Sequence, residues 1–307
     1  MVVTGASGYV GSYLLRSAAR RGCAARGIVR APVPWMEPEL QQIGQLLPEG
    51  DSPIDGADVV VHLAAPNETA FRSDPEEALK QTVEASRTVA RACSRTGVRR
   101  LVYVSTVHVY GSALQPGASI TEQTPPAPLG DYGRSRLLSE EVIRDEAVGV
   151  QVVVLRLTNG VGAPVSPLVD RWTLVANDLC RQVAEAGRMR LAQPGQWRDF
   201  IPLDAVTSVI LDASKPAHEA LVGPGVYNLS AGRCITILEL AELIRDEAEH
   251  VGIPVSIEAP VAIPEPPYLV DNGKIRKTGL LPGDLSLSQA LRATLELCIG
   301  AARDSRA

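Results

Sequence analysis

The stretch Thr4-Gly5-Ala6-Ser7-Gly8-Tyr9-Val10-Gly11 sets three glycines three residues apart. It lies between a short apolar run, Met1-Val2-Val3, and a segment with helical spacing at Val10, Leu14, Leu15 and Ala18. A strand that feeds a glycine-rich turn and then a helix is the dinucleotide-binding arrangement. Glycine permits the tight turn and lets a pyrophosphate approach with no Cβ in the way. The exposed N–H groups and positive dipole end of the following helix then hold the phosphates. Gly5, Ser7, Gly8, Tyr9, Val10 and Gly11 are therefore the first candidate cofactor contacts, and the turn confines the fold to an open α/β sheet.

The rest of the chain alternates accordingly. A second strand is expected over 25–29, closed by Arg30. Residues 35–57 are weakly patterned, with Gly44-Gln45-Leu46 expected to close a third strand and to bring Gln45 and Leu46 to the cofactor. The continuous apolar run at 58–65 suits a parallel strand covered on both faces. A long helix follows, with Asp74 as N-cap, Pro75 at its first position, Leu79, Val83, Ala90 and Cys93 as its apolar face, and Gly97 as its stop. A strand at 100–106, a helix at about 133–147 and a strand at 150–155 complete a βαβαβα pattern. It predicts a Rossmann-like, doubly wound parallel sheet over 1–163, with the chain returning to it at about 202–230. Residues 164–201 and 231–307 are expected to form a smaller C-terminal α/β substrate-binding domain at the carboxyl ends of the strands.

Composition narrows the partners. The 307 residues are 45% hydrophobic, carry a formal net charge of -5 and contain no basic run, which argues against a nucleic-acid or anionic-membrane partner. The five cysteines are far apart and form no C-x-x-C pair, so they read as buried reduced thiols of a cytoplasmic protein. The histidines are equally scattered, and no metal site is expected. No apolar run approaches the roughly 18 residues of a membrane span. A first strand that begins at once is expected to leave no room for a signal peptide, and its shortness to place the natural start upstream.

Chemistry concentrates at two places. One is the strand end Ser105-Thr106-Val107-His108-Val109-Tyr110-Gly111; the other is Tyr132-Gly133-Arg134-Ser135-Arg136. Positions i and i+4 share a helix face, so Tyr132 and Arg136 project together. A fixed cation beside a phenol favours the phenolate and suits it to acid/base work. An extended run through 106–108 would turn His108 to the same side as Thr106, as an auxiliary acid or base or as a structural histidine. Arg30 stands where NAD enzymes carry an acid for the ribose 2′-OH, and a guanidinium can pair with a 2′-phosphate; NADP(H) is expected over NAD(H). Glu140 and Glu141 read as a helix surface, and Asp55 and Asp58 as solvated.

Together Thr4-Gly5-x-x-Gly8-x-x-Gly11, His62-Leu63-Ala64-Ala65, Ser105-Thr106-x-x-Val109-Tyr110-Gly111, Tyr132-x-x-x-Arg136, Asn159 and Arg198-Asp199-Phe200-Ile201 resemble the extended short-chain dehydrogenase/reductase family, of the NAD-dependent epimerase/dehydratase type. The resemblance implies an NAD(P)-dependent oxidoreductase or epimerase acting on a sugar or nucleotide sugar, by 4-keto reduction or 4-epimerisation. It implies catalytic roles for Thr106 and Tyr132, and cofactor contacts at Leu63, Ala64, Ala65, Tyr132 and Arg136. Asn159 and Arg198 lie where such enzymes hold the substrate's diphosphate. Relatives carry lysine at the position of Arg136; arginine keeps the charge but is planar and cannot give up a proton. The second phosphate-binding arginine of many relatives is not evident, which leaves Lys274 or Arg276 to serve. Dehydratases place Asp-Glu where Val107 and His108 stand. The helices at 75–95 and 133–147 resemble those of a four-helix dimer interface, which Leu137, Leu138 and Val142 would extend, so a homodimer is expected. The rival reading is a non-catalytic NAD(P)-binding sensor or assembly protein of the same fold.

Overall fold

In the computed structural model, which describes residues 1–44, 53–66, 68–263 and 265–304, the chain opens with β1 (Val2–Thr4), α1 (Tyr9–Arg20), β2 (Arg26–Val29), β3 (Gln41–Ile43) and β4 (Val59–His62). There follow α2 (Glu68–Ser73), α3 (Pro75–Thr96), β5 (Arg100–Thr106), a 3-10 segment at Val107–Ala113, β6 (Ser119–Ile120), α4 (Asp131–Glu146) and β7 (Gln151–Leu157). The remainder runs through β8 (Asn159–Val161), α5 (Val175–Ala186), β9 (Arg188–Arg190), β10 (Trp197–Pro202), α6 (Leu203–Ala213), β11 (Gly225–Leu229) and β12 (Cys234–Thr236). It ends with α7 (Ile237–His250), β13 (Ser256–Glu258), β14 (Leu269–Val270), α8 (Gly273–Arg276) and α9 (Leu287–Asp304).

Seven strands make one sheet in the order β11-β7-β5-β4-β1-β2-β3, with every pairing parallel. β4 and β5 are buried along their whole length, which is why residues 59–61 and 101–104 are unbroken apolar runs and not alternations. The strand order reverses at β1, whose neighbours are β2 and β4. In such sheets the crevice at the reversal, outside the carboxyl ends, takes the ligand. The glycine turn leaves β1 at that crevice, and Leu63-Ala64-Ala65 leaves β4 beside it.

Two sequence expectations change here. β3 closes at Ile43, after which Gly44 N donates to Val29 O at 3.0 Å, while Gln45 and Leu46 lie outside the described residues. The buried face of α3 is Ala78, Thr82, Ser86, Val89, Ala90, Ala92 and Cys93; Leu79 and Val83 are only half-buried. Small residues take the inner face because α3 packs closely along α4. The predicted ends of α3 hold: Asp74 Oδ1 accepts from Glu77 N at 3.1 Å, and Gly97 stops the helix at φ 70°.

A second apolar cluster unites α5, α7 and α9, including Leu287, Leu291, Leu295 and Cys298 of the predicted terminal stripe. It backs the three-stranded sheet β12-β10-β8, which carries Asn159 and Arg198. Cys93, Cys180 and Cys298 are buried as expected, whereas Cys23 and Cys234 are partly exposed. No helix among the described residues is long and apolar enough to cross a membrane.

Candidate active site

The glycine turn separates into packing and access. A Cβ on Gly5 would fall 2.7 Å from Ala64 N, and one on Gly11 would fall 2.2 Å from Gly5 O, so both glycines are needed for the turn to close. Gly8 is different: the only atom near its would-be Cβ is Gly5 O at 3.2 Å. It is exposed, it begins α1, and neither a capping side chain nor a first-turn acid answers the amides of that helix. An uncapped helix N-terminus behind bare backbone fits the pyrophosphate of a dinucleotide. Ser7 is exposed and Val10 half-buried at the same edge. The Tyr9 side chain turns inward, its hydroxyl donating to Gly162 O at 2.5 Å and accepting from Gly162 N at 2.9 Å, so only its backbone serves the turn. Arg30 is exposed immediately after β2, and Leu63, Ala64 and Ala65 are half-buried after β4.

His62 ties this turn to the interior. Its Nε2 lies 3.2 Å from Ser86 Oγ, whose own hydroxyl donates to Thr82 O, so Nε2 carries the proton. Nδ1 then accepts from Thr4 Oγ1 at 2.7 Å, and Thr4 Oγ1 in turn receives the Leu63 and Ala64 amides at 3.3 Å each. A second ring proton would face the Thr4 hydroxyl proton. Burial, followed by the charge of Arg136, drives the imidazole down to about 3. His62 is therefore a neutral structural link between the β1 and β4 ends.

Tyr132 stands in the first turn of α4, which starts at Asp131, slightly earlier than expected. Arg136 is one turn on, 8% exposed, with its guanidinium carbon 5.2 Å from the centre of the Tyr132 ring. Burial works against the Arg136 charge, but Tyr132 and Tyr103 beside it outweigh that, and its pKa is held above the ordinary arginine value. Its Nε is buried without a hydrogen-bond partner. Phe71 of α2 meets the Tyr132 ring edge-on at 5.7 Å, and His108 does so at 6.0 Å. Gly133 lets α4 come this close, since a Cβ there would fall 2.6 Å from His108 O.

His108 reaches Tyr132 by a different route from the one expected. Residues 107–113 form a 3-10 segment, not an extended run, because the Thr106 side chain caps it: Oγ1 accepts from His108 N at 3.2 Å. The i/i+2 alternation thus fails, and His108 is exposed while Thr106 is 7% exposed. The cap uses a lone pair on Thr106 and leaves its hydroxyl proton free to donate outward.

Glu140 is the largest correction. It is fully buried, not a surface residue, and Arg156 of β7 binds it with two hydrogen bonds of 3.1 and 2.6 Å; only Glu141 is exposed. Arg198 and Asp199 lie in β10. Asp199 accepts from Thr158 Oγ1 at 2.6 Å and from the amides of Ala231, Gly232 and Arg233, and burial still pushes its carboxyl up to about 6. Asn159 Nδ2 donates to Asp199 O at 2.8 Å, and the half-buried Arg198 donates to Gln196 Oε1 at 3.1 Å. Lys274 and Arg276, the candidates for a second phosphate cation, are engaged elsewhere: Lys274 Nζ donates to Val226 O at 2.6 Å, and Arg276 Nε to Asn272 Oδ1 at 3.0 Å. The structure thus gathers His108, Tyr132 and Arg136, and separately Asn159 and Arg198. Phe71, Gly133, Glu140 and Arg156 had no motif to announce them; for Arg156, a charge inside an apolar strand run was the available signal.

A model of the NAD dependent epimerase/dehydratase family matches residues 1–229. The chain is similar to UDP-glucose 4-epimerase from Azospirillum brasilense, 30% identical over 203 residues, which are 61% of this chain and 56% of the relative. The chain thus spans little more than half the length of that relative. It is 28% identical over 264 residues to GDP-6-deoxy-D-mannose reductase from Pseudomonas aeruginosa, covering 81% of this chain and 80% of that one. Among solved structures, RMD from Pseudomonas aeruginosa complexed with NADPH superposes with a TM-score of 0.76 at 25% identity, over 98% of this chain and 99% of the other.

Proposed function

The chain belongs to the NAD dependent epimerase/dehydratase family, and on that premise we propose that it is an NAD(P)-dependent oxidoreductase or epimerase acting at the 4-position of a nucleotide-linked sugar. The observation that carries this reading is the buried Arg136 guanidinium 5.2 Å from the centre of the Tyr132 ring, with Thr106 capping the segment that brings His108 to the same ring. Relatives named as an epimerase and as a reductase of nucleotide sugars support it. A nicotinamide cofactor at the β1 turn would supply or accept the hydride. Gly8 and the first amides of α1 would hold its pyrophosphate, and Arg30 would take a 2′-phosphate, which favours NADP(H). Tyr132 gives its proton to, or takes it from, the reacting oxygen, and Thr106 donates a hydrogen bond to the same oxygen. Arg136 sets its guanidinium carbon 5.2 Å from the centre of the Tyr132 ring, a fixed charge beside the atom from which the proton moves. Asn159 and Arg198 orient the substrate's anionic part, and the exposed His108 stands edge-on to Tyr132 at 6.0 Å.

The test incubates the chain with NADPH or NADH and a panel of nucleotide-linked 4-keto sugars and 4-epimers, following absorbance and product. Turnover with tighter NADPH than NADH binding is expected. Binding of the cofactor without turnover of any sugar would instead assign a sensor. We also infer a homodimer through α3 and α4, where Leu79, Val83, Leu137, Leu138 and Val142 are only half-buried; a monomeric mass by light scattering at micromolar concentration would refute it.

A further inference from the structure

A buried polar line runs behind the site. Ser105 Oγ donates to Glu140 Oε1 at 2.5 Å, and Arg156 closes on the same carboxylate through Nε and Nη2. The Arg156 guanidinium lies 4.8 Å over the Tyr110 ring, and Tyr110 Oη donates to Asn228 Oδ1 at 2.6 Å. All of these side chains are buried. The proton transfer proposed for Tyr132 uses none of them.

The line nonetheless grips both elements that carry the reacting groups. Ser105 precedes Thr106 at the end of β5. Glu140 stands on α4 two turns beyond Tyr132 and one beyond Arg136, on the same face. Tyr110 belongs to the 3-10 segment that carries His108. A bidentate guanidinium–carboxylate pair fixes direction as well as distance, and a fully paired network in a low dielectric is stiff. Stability alone is a poor reason for such a pair, because apolar groups of the same volume serve as well.

We propose that Glu140 is a positioning residue: through Ser105 on one side and its own helix on the other, it sets the separation between the Thr106 hydroxyl and the Tyr132 phenol, while Arg156 holds its carboxylate in place. The role rests on the reading that Thr106 and Tyr132 share one reacting oxygen. A misplacement of about 1 Å at such a pair costs about 100-fold in rate.

Two variants test it. Ser105→Ala cuts the link to β5 and leaves the ion pair whole; Glu140→Gln weakens the pair itself. For each, kcat and KM for the sugar found by the panel are measured with the NADPH dissociation constant, thermal unfolding and amide hydrogen exchange. Ser105→Ala is expected to unfold close to the parent, with kcat down about 10-fold and with KM and NADPH affinity within about threefold. Glu140→Gln should lower kcat about 100-fold. Exchange should quicken in 105–110 and 131–136. An unchanged kcat in folded Ser105→Ala overturns the role, as does a fall in kcat, KM and NADPH affinity together with the folded fraction. If the parent turns over no sugar, the assigned function fails, and exchange alone decides: unchanged protection of both segments in Ser105→Ala overturns the line, and a change confined to them upholds it.

Discussion

Arg136 and Arg156 are two buried guanidinium groups at the same edge of the sheet, and each lies over a tyrosine ring, at 5.2 and 4.8 Å. Their charges are treated in opposite ways. Arg156 is neutralised by the bidentate Glu140. Arg136 has no carboxylate partner among the described residues, and its Nε has no hydrogen-bond partner at all. Glu140 is four residues beyond Arg136 and on its face of α4, yet its two oxygens go to Arg156 and Ser105. Burial therefore does not separate a structural charge from a working one. What separates them is whether the fold has already satisfied the charge: Arg156 is complete, while Arg136 is left with attraction to spare beside Tyr132.

The largest effect should come from removing the group that this spare charge serves. Tyr132→Phe keeps the ring contacts with Phe71, His108 and Arg136 but deletes the hydroxyl. Turnover is expected to fall by about 10²- to 10⁴-fold, the range for a lost general acid/base, with NADPH affinity within about twofold. Retained turnover would break the assignment of Arg136 as the working cation.

Stability should rank the two arginines the other way round. Arg156→Met leaves Glu140 as a buried, unpaired carboxylate and is expected to cost about 3–5 kcal/mol of unfolding free energy. Arg136→Met removes an uncompensated buried cation, so denaturant unfolding should show equal or higher stability while turnover and NADPH binding both fall. Arg136→Lys keeps the charge and should retain most activity. If Arg136→Met proves as destabilising as Arg156→Met, the distinction between a satisfied and an unsatisfied charge is lost.

The glycine turn offers the same division at smaller scale. Gly11→Ala forces a Cβ to within 2.2 Å of Gly5 O and should impair folding, whereas Gly8→Ala meets only one atom at 3.2 Å. Gly8→Ala is accordingly expected to unfold near the parent midpoint and to weaken NADPH binding by about 10-fold, about 1.4 kcal/mol. Titration of both cofactors against both variants checks it.

How much of this was legible follows from how local each cause is. The turn, the Asp74 cap, the Gly97 stop and the apolar strands are written in neighbouring residues, and the sheet follows from their alternation. The pairing of Tyr132 with Arg136 is also local, one helical turn. Glu140 was misread because its partner is 16 residues away in sequence and on another element; a helix position flanked by Ser139 and Glu141 looks solvated until β7 places Arg156 against it. His108 was misread because a single side-chain cap from Thr106 converts an extended run into a 3-10 segment. The Leu79 and Val83 face of α3 was misread because apolar spacing marks some buried face, and only the close packing on α4 shows that small residues take it.

The smallest effect tests the spare charge of Arg136 by its action on a neighbour. His62 is held down to about 3, first by burial and then by Arg136. Its ordinary value is about 6.5, so an unfolded chain takes up a proton at that position as pH falls through 6.5, and the folded chain does not until near 3. Stability from this group is thus complete above about pH 6.5 and is lost progressively as pH falls toward 3. Removing the cation in Arg136→Met should raise the folded value while burial and the Thr4 and Ser86 contacts keep it below 6.5. The His62 ring signal should then titrate at higher pH by nuclear magnetic resonance, and the loss of stability between pH 6.5 and 4 should be shallower than in the parent. Arg156→Met gives the control, because its charge is already spent on Glu140 and its loss should leave the His62 titration in place. If both variants, or neither, move that titration, the two arginines do not differ in the way their partners indicate.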